Sequence, residues 1–321
     1  MKALRRAVGA LRRKWRRLRA VGVAVPPLPA LDADAPPALA PHAKRVLVVC
    51  ADVLPRGGLL RFVRLGRVWR ARGWEVAFVS ILGEPRVEAD LEAPLLTLDQ
   101  AAARRWDATM VPGAGFPDER FPLLGAFRDP RFGLRVQHVL NDLSRRDRFL
   151  RVNRAFAPEV VIFNTPAWTP GTYEDFEADR FHTLCGAVDA AAFAPDAPRR
   201  FPLERGRWIV GGLANKNPRP LLEAVRGLGE GAVLRLFGPD AHGLAREAAA
   251  DVAAGRLDLV GRLDAAALPG FYRGVDCVAA TEADAGWSNL AAEAMAAGAP
   301  VACTRHGAQA FARDGETALV V

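Results

Sequence analysis

Residues 282–301 read EADAGWSNLAAEAMAAGAPV, and this stretch decides the fold. The residues just before it, 274–281 (GVDCVAAT), are short and apolar, like a buried strand of a parallel sheet. After a short acidic turn come Gly286, Trp287, Ser288 and Asn289. A Ser/Asn pair supplies side-chain acceptors for the free N–H groups of a helix start. Residues 290–297 are strong helix formers, and Gly298 and Pro300 stop the helix. The next strand is predicted over 301–304. The order is therefore strand, turn, helix, strand. The turn offers backbone N–H groups and the positive end of a helix dipole, which suits a phosphate. Glu293 lies about one turn into the helix, within reach of a group bound there. Its bland reading is an incidental buried carboxylate, which is costly without a partner.

The same residues resemble the nucleotide-sugar site of the GT-B glycosyltransferases, most closely the retaining family 4 (group 1) enzymes. That family has a Glu, a Gly-aromatic-Gly turn, a second Glu in the helix, then Ala-Met-Ala-x-Gly-x-Pro-Val. Here Gly286-Trp287-Ser288 stands at the turn, and EAMAAGAPV from Glu293 to Val301 matches the rest. The resemblance implies that Glu293 binds the ribose and that Gly286, Trp287, Ser288 and Asn289 meet the donor. The family's first Glu contacts the donor sugar, and its position is held by Ala285. Asp284 and Glu282 are the carboxylates able to take that place from a shifted turn, so both are candidate catalytic residues.

The chain has 321 residues, half of them apolar, which suits two domains with separate cores. Cys50, Cys185, Cys277 and Cys303 have no paired spacing, and three of them sit in apolar runs. They read as buried thiols of a reducing compartment, neither a disulfide framework nor a zinc site. No run of transmembrane length is free of charges and proline clusters, and the start lacks a signal-peptide core and cleavage site, so export is not expected. The net charge is +8, yet residues 1–20 hold nine Lys and Arg and no acid, leaving 8 − 9 = −1 for the remainder.

In that basic segment Leu4, Val8, Leu11, Trp15 and Leu18 step by four and three, which puts them on one helix face. A basic amphipathic helix with a Trp suits an anionic membrane surface. A solvated tail is the main alternative and a nucleic-acid arm the least favoured, so no nucleic-acid partner is expected. Residues 20–43 are rich in Pro and Ala and read as a stiff linker. Its Asp32-Ala33-Asp34 triplet has no strand before it and is taken as chance, so no metal site is expected.

Residues 44–53 (KRVLVVCADV) form the first strong strand. A loop over 54–58, a helix over 59–72 and a strand over 74–81 follow, which opens a doubly wound sheet. The glycines are not a GxGxxG fingerprint. The opening resembles that of family 4, where a Gly-Gly loop touches the acceptor or the donor phosphate; Gly57 and Gly58 inherit that role, with a plain tight turn as the alternative. Further strands are predicted at 95–98, 108–111, 134–140 and 160–164. The loops 113–118 (GAGFPD) and 141–148 (NDLSRRDR) lie past strand ends, where ligands bind in such sheets. His138 lies within the 134–140 strand. In the family a His in a comparable place contacts the donor phosphate or sugar, so His138 is a candidate catalytic residue; a satisfied core or hinge histidine is the other reading.

Residues 181–195 resemble the family's Asn-Gly-Val-Asp…Phe-x-Pro hinge through Gly186-Ala187-Val188-Asp189, Phe193 and Pro195. This places an N-terminal acceptor domain at 44–190 and a nucleotide-sugar domain at 191–321. The second domain restarts with a strand at 207–210, a loop at 211–216, a helix at 218–228 and a strand at 233–237. In the family an Arg follows the first Gly of that loop and a Lys comes later, to hold the diphosphate. Gly212 stands at the Arg position, Lys216 remains, and Arg219 is a candidate to compensate. Arg262, past a strand at 257–260, is a candidate near the base. Residues 314–321 (DGETALVV) match the family's Asp-Gly-x-Thr-Gly-Leu-Leu-Val, and the resemblance covers 44–321. The family continues with further helices, so the second domain is expected to be truncated.

The resemblance implies two Rossmann-like doubly wound α/β domains facing a cleft, the GT-B fold. It implies a metal-independent hexosyltransferase moving a sugar from a nucleotide-sugar to a glycan or lipid-linked acceptor with retention, and no cofactor beyond the donor. A role in cell-envelope polysaccharide follows from the basic helix, in the cytoplasm with peripheral contact at the inner membrane face. A non-catalytic GT-B-like binding or partner subunit stays open because of Gly212 and Ala285. A nucleotide-sugar epimerase stays open too, although it needs further acid/base residues that the sequence does not supply.

Overall fold

The computed structural model describes residues 27–30 and 42–321, with breaks at 55–56, 83–84, 88, 113–115, 117, 141–145, 167–174, 197, 200, 202–205 and 284. The basic segment 1–20, the Asp-x-Asp triplet and Asp284 lie outside the described residues. The chain divides into two compact units; the first runs to Leu184 and the second takes Cys185 onward together with the short piece at 165–167.

The first unit is a seven-stranded sheet in the order β3-β2-β1-β4-β5-β6-β7, parallel throughout. Its strands are β1 (Arg45–Cys50), β2 (Glu75–Ser80), β3 (Leu95–Leu96), β4 (Ala108–Pro112), β5 (Leu134–Val139), β6 (Val160–Phe163) and β7 (Arg180–Thr183). Three α-helices are described: α1 (Gly57–Arg70), α2 (Leu98–Ala102) and α3 (Arg146–Phe156). A run such as RVLVVC, buried at five of six positions, is usable only where both sheet faces are covered. Alternation along the strands divides the core accordingly. Val46 and Val48 pack with Val76, Phe78 and the α1 residues Phe62 and Val63. Leu47 and Val49 turn the other way, to Ala77, Val79, Trp106 and Phe127.

The second unit repeats the order with six parallel strands, β10-β9-β8-β11-β12-β13. These are β8 (Trp208–Leu213), β9 (Ala232–Phe237), β10 (Leu257–Gly261), β11 (Cys277–Ala280), β12 (Val301–Cys303) and β13 (Leu319–Val320). The helices are α4 (Arg219–Gly227), α5 (Leu244–Glu247), α6 (Ala249–Ala253), α7 (Leu268–Arg273) and α8 (Asn289–Ala296). Helix α4 covers one face through Leu221, Leu222 and Val225. The other face is covered by α7 and α8, with Phe271, Tyr272, Leu290, Ala291 and Ala294 against Ile209, Val278 and Val301. Both units are thus doubly wound, as expected.

Three local readings are corrected. Helix α1 begins at Gly57, so Gly57 and Gly58 form its first turn and not a loop; a side chain at Gly58 would come within 3.2 Å of Leu140. Strand β8 runs through Gly211 and Gly212 to Leu213, so these glycines are sheet residues too. A Cβ at Gly211 would stand 3.1 Å from both Val275 methyls, and one at Gly212 would stand 3.0 Å from Leu221 and Leu236. The glycines are there because side chains from α4, from the neighbouring strand and from the segment after α7 press close on them. Strand β7 was not anticipated: as an edge strand with exposed residues it carries little apolar signal.

Cys50, Cys277 and Cys303 lie in β1, β11 and β12, and none of the four cysteines is bonded to another. Burial, with a smaller contribution from the Asp52 charge, pushes the Cys50 thiol up to about 12. No helix among the described residues is long and apolar enough to cross a membrane.

Candidate functional site

In each sheet the chain reverses its winding beside the first strand, between β1 and β4 and again between β8 and β11. Loops leaving the carboxyl ends of those strands flank a crevice, the usual ligand position in open α/β sheets. In the second unit these are the turn 214–217 after β8 and the turn 281–288 after β11.

The two turns are tied together by side chains. Thr281 Oγ1 donates to the carbonyls of Lys216 (3.1 Å) and Asn217 (2.8 Å). Asn217 Nδ2 returns a bond to the Thr281 carbonyl at 3.2 Å. Asn217 sits at φ 51°, a conformation Asn tolerates better than most residues. The exposed side chain of Lys216 is carried on this pinned turn. Beside it, the Asn215 amide oxygen is buried with no hydrogen-bond partner among the described residues.

The turn into α8 is held by Ser288. Its hydroxyl accepts from the Ala291 N–H at 3.2 Å, capping the helix, and donates to the Glu282 carboxylate at 2.7 Å. Its backbone N–H donates to the Gly307 carbonyl at 2.9 Å. Thr304 Oγ1 donates to the Glu282 carbonyl at 2.5 Å. Glu282 is buried, so its carboxylate depends on donors such as the Ser288 hydroxyl. Gly307 has φ +77°, and a Cβ there would lie 2.6 Å from the Ser288 nitrogen, so the turn closes only over glycine.

Gly286 is buried and Asn289 opens the helix. Trp287 turns its ring onto Phe311, with centroids 4.8 Å apart. The ring also fills the space beside Gly186, where a Cβ would come within 2.2 Å of it. The indole is therefore committed to packing, and the Trp287 contribution to a ligand reduces to its backbone. Glu293 is buried one turn into α8, where Tyr272 of α7 donates its hydroxyl to the carboxylate at 3.1 Å.

The remaining candidates are placed as follows. Gly212 lies buried in β8 beside Leu236, so it is no part of a loop. Arg219 begins α4 and pairs with Glu247 at 2.6 Å; their mutual hydrogen bonds raise the Arg219 pKa and lower that of Glu247. Its guanidinium is thus engaged away from the turn. Arg262 is exposed just past β10.

In the first unit His138 is fully buried in β5, edge-on to Phe62 at 5.6 Å. Neither ring nitrogen has a hydrogen-bond partner among the described residues. Burial, and secondarily the Arg61 charge, pull its pKa down to about 3, so the imidazole is neutral at ordinary pH. Loop 141–145 and most of 113–117 lie outside the described residues. Among the described residues no group of three His, Cys, Asp or Glu side chains is arranged to hold a metal ion.

Sequence reasoning passed over Tyr272, Thr281, Thr304 and Gly307. Thr281 and Thr304 directly follow strand ends and Gly307 lies in the same loop as Thr304, a usable signal. Tyr272 lies in a helix 21 residues before Glu293 and gave none.

Residues 207–321 match the family of glycosyl transferases group 1. No curated protein matches the chain in sequence. Among solved structures, sucrose-phosphate synthase from Thermosynechococcus elongatus is similar with a TM-score of 0.62 at 16% identity, over 87% of this chain and 86% of that one. WaaG, a glycosyltransferase involved in lipopolysaccharide biosynthesis, gives 0.64 at 13% identity, over 86% and 85%. The catalytic domain of starch synthase IV from Arabidopsis thaliana, bound to ADP and acarbose, gives 0.61 at 13%, over 86% of each chain. With a sheet of the same winding in each unit and the family's match lying across the pinned turns of the second, the chain has the GT-B fold, and its residues 207–321 are similar to the glycosyl transferases group 1.

Proposed function

We propose that the protein transfers a sugar from a nucleotide-sugar donor to a glycan or lipid-linked acceptor, with retention of anomeric configuration. The observation that carries this is the pinned pair of turns at the β8–β11 switch point, with a Ser288-capped helix and Glu293 one turn inside it. The donor diphosphate lies against the N-terminal amides of α8 and the ammonium of Lys216. As the bond from the anomeric carbon to the diphosphate oxygen breaks, these groups stabilise the developing charge. Glu293 accepts from the ribose hydroxyls and so fixes orientation. Glu282, already held by Ser288, orients the turn that meets the sugar. The acceptor docks on the first unit, near the start of α1 and the end of β5. No cofactor beyond the donor is required by this scheme.

Calorimetric titration with UDP, GDP and ADP and their sugar conjugates tests the reading. Binding of one nucleotide that Glu293→Ala and Lys216→Ala each abolish supports it. Failure of all three to bind overturns it and favours a binding or partner role, in line with Gly212 and Ala285 at two donor positions of the family. The lipid-linked acceptor rests on the basic amphipathic pattern of residues 1–20. Unchanged transfer to a lipid-linked acceptor after their deletion argues against that part.

A further inference from the structure

Tyr272 is 1% exposed, and three aromatic rings enclose it. Phe271 lies at 5.8 Å, Phe193 at 6.0 Å and Phe237 at 6.1 Å between centroids, with Phe271 and Phe237 close to perpendicular to it at 78° and 82°. A ring packed on several sides has little rotamer freedom, so the apolar core sets the position of the phenolic oxygen. That oxygen donates to Glu293 Oε2 at 3.1 Å. Glu293 belongs to α8, whose neighbouring Leu290, Ala291 and Ala294 are core residues. The carboxylate thus leaves a helix wall and meets a fixed donor from a second helix.

We infer that Tyr272 is a positioning residue for Glu293, setting the rotation of its carboxylate so that the nucleotide ribose is read through both of its hydroxyls. This rests on the ribose-binding reading of Glu293. A carboxylate offers about four lone-pair positions, and the Tyr272 hydroxyl takes one of them without approaching the nucleotide. With the carboxylate rotation fixed, a ribose diol finds acceptors already in place and no side-chain freedom is lost on binding. Without the hydroxyl the carboxylate loses this fixed donor, and the diol must do more of the ordering.

A merely structural hydrogen bond and a positioning one differ in what they change. Loss of a structural bond lowers stability and weakens every nucleotide alike. Loss of a positioning bond lowers the preference for ribose over a sugar without the two hydroxyls. The experiment uses the full chain and measures, by calorimetry, the affinity for UDP, GDP or ADP, whichever binds, and for its 2′,3′-dideoxy counterpart. Tyr272→Phe keeps the ring and its packing. It is expected to reduce the ribose preference by about tenfold while leaving the dideoxy affinity within about twofold of wild type. An unchanged preference, or an equal loss for both ligands, overturns the inference while leaving the ribose reading intact, provided Glu293→Ala removes the preference. A wild-type protein that binds both ligands equally overturns the ribose reading and the inference with it. A second measurement needs no substitution. The chain has two tyrosines, so 3-fluorotyrosine incorporated throughout gives an assignable ¹⁹F resonance for Tyr272. That resonance is expected to move with the nucleoside diphosphate and not with the dideoxy compound, and a resonance indifferent to both overturns the inference.

Discussion

Acid should weaken the first unit through His138. The imidazole is fully buried, lies beside Phe62 and has its folded pKa at about 3, against a reference value of 6.5. A group whose folded pKa is depressed in this way binds its proton in the unfolded chain first. Between pH 6.5 and about 3 the unfolded state therefore holds more protons, and stability falls as the pH is lowered through that window. Each unit of difference corresponds to about 1.4 kcal/mol, so at pH 5, about one and a half units below the unfolded value, the loss is about 2 kcal/mol. At pH 7.5 it is close to nothing. His138→Leu removes the titrating group, keeps nearly the same volume and removes two buried nitrogens that lack partners among the described residues. Urea unfolding of both proteins at pH 7.5 and pH 5, followed by tryptophan fluorescence, isolates the effect as a double difference, since all other groups titrate alike. The variant is expected to lose about 2 kcal/mol less than wild type between the two conditions. Equal losses would show that native His138 takes up its proton as an exposed histidine does, and the account of its burial would be wrong.

Three further outcomes check the second unit. Ser288→Ala removes a helix cap and a donor to the buried Glu282 carboxylate, with an expected cost of about 2 kcal/mol in chemical denaturation; a loss below about 0.5 would mean that other donors satisfy Glu282. Gly307→Ala sets a Cβ at φ +77° within 2.6 Å of the Ser288 nitrogen. It should destabilise by about 2 kcal/mol or more and weaken nucleotide binding, and wild-type behaviour in both assays refutes the described turn. Arg219→Ala should leave nucleoside diphosphate affinity within about twofold of wild type, because Glu247 already engages the guanidinium at the protein surface. A tenfold loss would return Arg219 to the diphosphate site.

Much of the second unit's site was legible because its signals are local. A Ser at the head of an Ala-rich run, a Glu within the run and a Gly-x-Pro stop are all neighbours in sequence, and each acts within a helical turn. The apolar strands were legible for the same reason, since burial on both faces leaves continuous runs. The first-unit site was less so. Gly57 and Gly58 read as a loop, yet they begin α1, because a Gly pair carries no information on whether the chain around it is already turning.

What the sequence determined by itself is the alternation of buried strands with helices in two sheets and a helix start at the Ser288-Asn289 pair, because propensity, capping and hydrophobic period act between residues a few positions apart. What only the tertiary structure decided is which distant groups meet. Thr281 pins a turn 64 and 65 residues away, Gly307 closes over Ser288, and Tyr272 reaches Glu293 from another helix. The glycines of β8 were misplaced for the same reason, since the need for a missing side chain comes from Val275, Leu221 and Leu236, which only folding brings near. Such contacts depend on strand order and on helices docking onto a sheet, and a pattern read along one dimension holds no record of either.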